Sequence, residues 1–415
     1  MPQLSKMLQT IPLNPIRFLT PLIEAREKEG IFFYKLNIGQ PDLEIEPAIS
    51  EFYSSEKIIN HIEYTNSQGI QSLREAWAND YYEGKFTSAG VMITNGSSEG
   101  MLFITLALLN EGEANLTFSP IYPNYESFAH MTGRKIISVP RLAKEGYRFP
   151  SKNVIEQTIK DNLNIKVITI ISPDNPTGYV MTGEEIDMIF SLATQYDLWV
   201  VIDEAYRDIR FNKQSTAVSD YISNKKEWMN RSIFLSSTSK EFSACGLRVG
   251  ALISTNTDLV KEIVKLGMPR LSVNEVAQLS AIKALSLPRT ARKNVMEKYK
   301  KRRDVVVEIF NELGVDVIKP EGALYFLPDL APLGITDSID FAKWMVGKYY
   351  WTDSDGTKKS VVVTPGGGFY PSGSNDEGKS LIRIAYVVDE EKLKEAMNIL
   401  KMGITEFIRV NKRRN

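Results

Sequence analysis

The sequence predicts an α/β fold: a large domain on a mostly parallel sheet covered by helices, with a smaller α+β domain beside it. Three observations carry that expectation. Between about residues 90 and 255, short apolar runs alternate with amphipathic stretches, the rhythm of βαβ units whose sheet is buried on both faces. Beyond Pro288 the pattern changes to a long charged stretch followed by separate strand-like runs. The 415 residues, 43% hydrophobic and 24% charged, supply apolar material for a sizeable core and exclude disorder as the dominant state.

The large-domain strands are expected at 91–94, 116–119, 167–172, 198–203, 233–236 and 249–253. One intervening helix has an explicit start: Thr182 and Glu185 form a capping box, and Ile186, Ile189, Phe190 and Ala193 then recur at helical spacing. At 290–313, Val305, Ile309 and Leu313 lie four apart, which predicts a connecting helix that leaves the sheet domain. Strands follow at 322–326, 360–363 and 381–385, then a helix from about 390 to 409. The segment 349–359, aromatic at its flanks with an Asp-Gly turn inside, reads as an extra hairpin. Gly366, Gly367 and Gly368 read as a flexible loop, and the first 45 residues, rich in turn signals, as part of the small domain or of the cleft. The expected division is a large domain at 46–288 and a small one made of 1–45 and 289–415.

Fifty Lys and Arg against 51 Asp and Glu give a net charge of −1, so no global electrostatic footprint for nucleic acid or an anionic membrane exists. Any bound anion must be held locally. A single cysteine, Cys245, cannot form an intrachain disulfide, and two histidines, His61 and His130, are too few for a His-rich metal site. The apolar run at 101–109 is far shorter than the roughly 20 residues a bilayer needs, and Pro12 and Pro15 interrupt the N-terminus where a signal peptide would be continuous. A cytoplasmic protein without metal is expected, its basic end at 412–414 a solvated terminus.

In open parallel sheets, ligands sit beyond the carboxyl ends of the strands. Four runs end there in polar groups. The first leads into Asn95-Gly96-Ser97-Ser98 and a helix, a turn able to bind phosphate or simply to connect. The third leads into Pro173-Asp174-Asn175-Pro176, where two prolines either aim an amide or stiffen a turn. The fourth ends in Asp203-Glu204-Ala205-Tyr206; a carboxylate at the mouth of a buried strand is costly unless a cation meets it or it caps the next segment. The fifth leads to Ser237-Thr238-Ser239-Lys240, a lysine that either snorkels to the surface or is a Schiff-base nucleophile, with Arg248 eight positions on. All four should converge on one edge of one sheet.

With these residues in place, the sequence resembles the class I/II aminotransferases, pyridoxal-phosphate enzymes of the aspartate aminotransferase fold, fold type I. The resemblance rests on NIGQPD (37–42), EYTNSQGIQSLREA (63–76), TNGSSEG (94–100), SPIYPNY (119–125), NPTG (175–178), DEAY (203–206), STSKEFSACGLRVG (237–250) and Arg383, in family order from about Arg17 to Val387. It implies that the large domain binds pyridoxal 5'-phosphate. Lys240 would form the imine with its aldehyde, Asp203 would pair with the pyridine nitrogen, and Asn175 and Tyr206 would hydrogen-bond its phenolic oxygen. Tyr122, where some members carry tryptophan, would stack on the ring. Ser97, Ser98, Ser237 and Arg248 would hold the phosphate, with Tyr64 reaching in from a second subunit of a homodimer. Arg383 would take the substrate α-carboxylate, with Gly39 a backbone contact beside it and Asn175 also facing substrate. Arg17 is a candidate, by position alone, for a second carboxylate contact.

The residue types suit the reaction. A carboxylate about 4 Å from the ring nitrogen favours the protonated ring by roughly 4 kcal/mol at an effective dielectric near 20. A guanidinium offers a carboxylate two parallel hydrogen bonds and so orients the α-carbon. A lysine can both hold the aldehyde and carry the α-proton. The expected activity is transfer of an amino group from an α-amino acid, aspartate or another common one, to an α-keto acid such as 2-oxoglutarate. Two other readings share the scaffold: a lyase or cyclase such as a C–S β-lyase, and a non-catalytic regulatory module, against which intact Lys240, Asp203 and Arg383 argue.

Overall fold

The computed structural model describes residues 4–5, 7–8, 11, 14–54 and 62–412, so His61, Pro12 and the terminal Arg413 and Arg414 lie outside the described residues. Among the described residues thirteen strands run in chain order: β1 (Ile31–Lys35), β2 (Val91–Thr94), β3 (Ala114–Ser119), β4 (Lys135–Pro140), β5 (Ile165–Ile171), β6 (Trp199–Asp203), β7 (Ser232–Ser237), β8 (Gly250–Ile253), β9 (Tyr325–Phe326), β10 (Trp351–Thr352), β11 (Lys358–Val362), β12 (Thr364–Pro365) and β13 (Ile382–Ala385).

Seven of them form the large sheet in the order β2-β8-β7-β6-β5-β3-β4. Strands β3 to β7 pair in parallel, whereas β8 runs antiparallel to both β2 and β7. Strict alternation of side chains sorts the central strands between two cores. Val167, Val201, Ile233, Leu235 and Leu252 pack with Met101 and Ile104 of the helix Ser97–Leu108. Ile168, Ile170, Val200, Ile202 and Phe234 pack on the opposite face with Ile186, Ile189 and Phe190 of the helix Gly183–Gln195. That helix begins with the capping box read from Thr182 and Glu185. The chain adds β4 on one side of β3 and then β5, β6 and β7 on the other. Such a reversal opens a crevice at the carboxyl ends of the strands.

A second core joins two small sheets, β1-β11-β10 and β12-β13-β9, to the helices Lys293–Glu312, Ser338–Gly347 and Glu390–Lys412. Ala205, Tyr206, Ile209 and Phe211, which follow β6 of the large sheet, are buried in this second core. No helix among the described residues is long and apolar enough to cross a membrane.

Several local expectations change. Strand β4 lies at a sheet edge with only Val139 buried, so its apolar pattern is too weak to stand out. Strand β1, within the turn-rich first 45 residues, exists because it pairs in parallel with β11, over 300 residues away. The run 322–326 shortens to Tyr325–Phe326, because Ala323 takes a positive φ of 55° and breaks the extended chain. The hairpin at 349–359 is present, with Trp351 opposite Lys359 and a turn between. Gly366–Phe369 is not a flexible loop but a tight 3₁₀ turn, with Gly366 N–H bonded to the Leu381 carbonyl (2.7 Å) and Ile121 N–H to the Phe369 carbonyl (2.6 Å).

Candidate active site

A cavity of about 370 Å³ opens at the carboxyl ends of β3, β5, β6 and β7 and is closed from the opposite side by Ile38 to Gln40, Tyr325 and Arg383. Among the residues singled out in the sequence, Gly39, Ser97, Ser98, Tyr122, Asn175, Asp203, Tyr206, Ser237, Lys240, Arg248 and Arg383 all line it. Tyr64 does not; its side chain is 80% exposed and away from this cavity.

One end of the cavity is suited to an anion. The helix Ser97–Leu108 starts there without a side-chain cap, so its first amides are left for an outside acceptor. Gly96 turns into it at a φ of 74°, and a Cβ at that position would lie 2.6 Å from Arg248 Nη2. Gly250 on β8 packs so closely behind that its own Cβ would sit 2.6 Å from the Gly96 carbonyl carbon. The two glycines let Arg248 and the helix start approach each other. Arg248 itself holds a left-handed backbone (φ 57°), with Nη2 donating to the Asn95 carbonyl (3.1 Å). Ser237 and Ser239, with hydroxyls 2.7 Å apart, complete this end.

Asp203 is the last residue of β6 and 7% exposed. Its Oδ2 accepts from the Tyr125 hydroxyl (2.6 Å) and its Oδ1 from the Ala205 amide (3.0 Å). Burial pushes its carboxyl up from the usual carboxylate range, and those two hydrogen bonds hold it back. A cation in the cavity would stabilise the ionised form. Lys240 Nζ donates to the Gly39 carbonyl (2.6 Å), and Cys245 Sγ lies 3.9 Å from the same nitrogen while donating to the Ser239 carbonyl.

Arg383, on β13, is 1% exposed. Its Nη1 donates to Asn175 Oδ1 (3.0 Å) and its Nη2 to the Asn37 carbonyl (2.6 Å), while Nε has no partner. The rings of Tyr325 and Phe369 lie 4.6 and 4.9 Å from its guanidinium carbon. Burial pulls its pKa below the ordinary value, opposed only by the phenols of Tyr325, Tyr206 and Tyr122. Thus a buried cation has only neutral hydrogen-bond and ring partners among the described residues. Such a group demands an anion. With Asn175 Oδ1 committed to Arg383, the amide NH₂ of Asn175 remains as a donor to the cavity.

Tyr122 is held by Asn124, whose Nδ2 donates to its hydroxyl (2.9 Å), and burial pushes its phenol up to about 12. Arg17 also lines the cavity and, among the described residues, has no carboxylate partner. His130 lies 3.7 Å from Glu126 on the helix Asn124–Thr132 and outside the cavity.

Four contributors escaped the sequence reading: Tyr125, which holds Asp203; Tyr325, whose hydroxyl is 2.8 Å from that of Tyr206; Asn37, which links Arg383 to the Ile16 carbonyl; and Ser239. Tyr125 lies three positions after Tyr122, just inside the helix Asn124–Thr132, with the two rings 5.8 Å apart, and this spacing was the available signal. Tyr325 reaches the cavity, and Asn37 reaches Arg383, only through long-range packing.

A family model described as aminotransferase class I and II matches residues 33–400. An aspartate aminotransferase from Musicola paradisiaca is 30% identical over 391 residues, 93% of this chain and 92% of that relative. The aromatic-amino-acid aminotransferase 2 of Thermococcus litoralis is 29% identical over 97% of this chain and 98% of its own length. Among solved structures, aspartate aminotransferase from Thermotoga maritima superposes with a TM-score of 0.84 at 24% identity, over 97% of this chain and 100% of that one.

Proposed function

The chain belongs to the class I and II aminotransferase family, and from that premise we propose that it moves an amino group from an acidic α-amino acid such as aspartate to 2-oxoglutarate. It is an aminotransferase that uses pyridoxal phosphate. The observation that carries the substrate reading is Arg383, a buried guanidinium that among the described residues has an unpaired Nε and no carboxylate partner, in a cavity also lined by Arg17, which has no carboxylate partner among those residues. Two cations suit a substrate with two carboxylates.

The residues present fit the cofactor. The uncapped helix start with Ser97, Ser98, Ser237 and Arg248 would hold its phosphate, Asp203 its ring nitrogen, Asn175 and Tyr206 its phenolic oxygen and Tyr122 one face of its ring. When bound, pyridoxal phosphate supplies an aldehyde for the amino group and a ring that accepts the electron pair released at the α-carbon. Asp203 keeps the proton on the ring nitrogen by Coulombic attraction in a water-poor site. Arg383 clamps the α-carboxylate with two parallel hydrogen bonds, exchanging Asn175 and Asn37 for it in whole or in part, and so aims the bond to be broken. Lys240 Nζ is the amine that holds the cofactor and the base that takes the proton from the substrate α-carbon. Tyr64, exposed here, would complete a second copy's phosphate site in a homodimer, and the reading includes a cytoplasmic setting, supported by the single cysteine.

A screen of amino donors against keto acids tests this, with the bound cofactor's absorbance following each half-reaction. Turnover of aspartate with 2-oxoglutarate is expected; keto acid release in excess of the enzyme with no acceptor added would replace transamination by elimination.

A further inference from the structure

Two ionisable cavity residues have a buried carboxylate as their next neighbour. Asp203 is followed by Glu204, 0% exposed, and Lys240 by Glu241, 2% exposed. Neither glutamate lines the cavity. Glu241 Oε2 accepts from the Tyr81 hydroxyl (2.7 Å), and its Oε1 accepts from the backbone N–H of Asp208 (2.5 Å), two residues beyond Tyr206. One side chain therefore joins three segments: the turn carrying Lys240, the turn carrying Tyr206, and the helical turn Ala76–Tyr81.

That junction is itself braced. The guanidinium of Arg207, fully buried, lies 5.4 Å from the centre of the Tyr81 ring, 2.6 Å from Asp220 and 3.6 Å from both Glu204 and Asp208. Glu204 Oε1 accepts from the Ser219 amide (2.9 Å). Apolar packing would hold these turns together without removing charges from water, so the acids are poor candidates for stability alone. A buried carboxylate whose two oxygens both accept hydrogen bonds, as those of Glu241 do, instead fixes the relative placement of the segments it joins.

We propose that Glu241 is a positioning residue that sets where Lys240 stands relative to Asp203 and Tyr206. The proposal rests on the reading of Lys240 as the reacting amine. A lysine has a long flexible stem, so the reach of its nitrogen depends on where its backbone is anchored, and errors near 1 Å can cost about a hundredfold in rate.

The test compares the cofactor-loaded wild type with Glu241→Ala, Glu241→Gln and Tyr81→Phe. It reads kcat and KM for the donor half-reaction, the pH midpoint of the bound cofactor's absorbance change, and the melting temperature. Glu241→Ala is expected to lower kcat by about tenfold or more while KM stays within about twofold, and to move the pH midpoint. Glu241→Gln, which keeps the size and one acceptor, should recover most of both; Tyr81→Phe should show a smaller change in the same direction. Lowered melting with wild-type kcat and midpoint in Glu241→Ala would overturn the proposal. Should that variant not fold, Tyr81→Phe decides, and unchanged kcat and midpoint there overturn it. A wild type that takes up no cofactor, or that borohydride labels at another side chain, overturns the reading beneath as well.

Discussion

The hydroxyls of Tyr206 and Tyr325 lie 2.8 Å apart, the one from the turn after β6 of the large sheet and the other from β9 of a small sheet. Burial pushes the Tyr206 phenol well above its ordinary value, with Tyr325 adding to the shift, so the Tyr206 hydroxyl keeps its proton in this contact. Tyr325 also presents its ring to Arg383, so one side chain touches both the proposed cofactor contact and the proposed carboxylate clamp.

Tyr325→Phe keeps that ring and removes only the hydroxyl. A net hydrogen bond of about 1 kcal/mol corresponds to roughly fivefold. We expect kcat/KM for the donor half-reaction to fall by about that factor, with cofactor affinity little changed. Stopped-flow absorbance measures it, and a wild-type rate would show that the contact is incidental.

Asp203 makes stability depend on pH and on the cofactor. Its folded-state pKa is raised above the unfolded value, so the folded protein binds a proton more tightly than the unfolded one. The ionisation penalty is therefore absent below the ordinary carboxylate range and grows as pH rises through and above it. Asp203→Asn should melt at or above the wild-type temperature in the cofactor-free protein at neutral pH, with the difference shrinking towards pH 4. Cofactor should then raise its melting temperature less than it raises that of the wild type. Calorimetry with and without cofactor at several pH values decides; an equal cofactor effect in both proteins contradicts the pairing.

Gly96→Ala places a methyl 2.6 Å from Arg248 Nη2 and forces alanine into an extended, positive-φ backbone that is nearly reserved for glycine, a strain of about 1–3 kcal/mol. The anion end should lose its geometry before the sheet does. We expect the cofactor dissociation constant to rise about tenfold or more, since each 1.4 kcal/mol is tenfold, with the far-ultraviolet circular dichroism retained. Titration of the cofactor-free protein gives the value.

The two cavity arginines should separate by substrate. Arg383→Lys loses the planar fork for every amino acid and is expected to raise KM and lower kcat together. Arg17→Ala should weaken aspartate and 2-oxoglutarate by about tenfold while sparing alanine, given 1.5–3 kcal/mol for a charged hydrogen bond. Equal losses for aspartate and alanine would remove Arg17 from the account of specificity.

Much of the architecture was legible because it is locally encoded. The central strands are short apolar runs whose neighbours on both faces are helices, and the Thr182 cap fixes where one of those helices starts. Edge strand β4 and the parallel partner strand β1 were not legible, since half-exposed residues carry little pattern and pairing over such separations leaves no local mark. The Gly366–Gly368 segment misled for a related reason: glycine permits flexibility, but the surrounding hydrogen bonds and burial remove it.

By itself, the chain's order of residues determined the chemistry on offer: a lysine, an acid, an amide and hydroxyls placed just past the ends of buried strands, where side chains and turns must emerge. Only the tertiary structure decided how they are held. Tyr125 under Asp203, Tyr325 against Tyr206, Asn37 behind Arg383 and Tyr81 against Glu241 are contacts between segments distant along the chain. The energy of such contacts comes from desolvation and hydrogen-bond geometry in a packed interior, quantities that exist only once the segments have met.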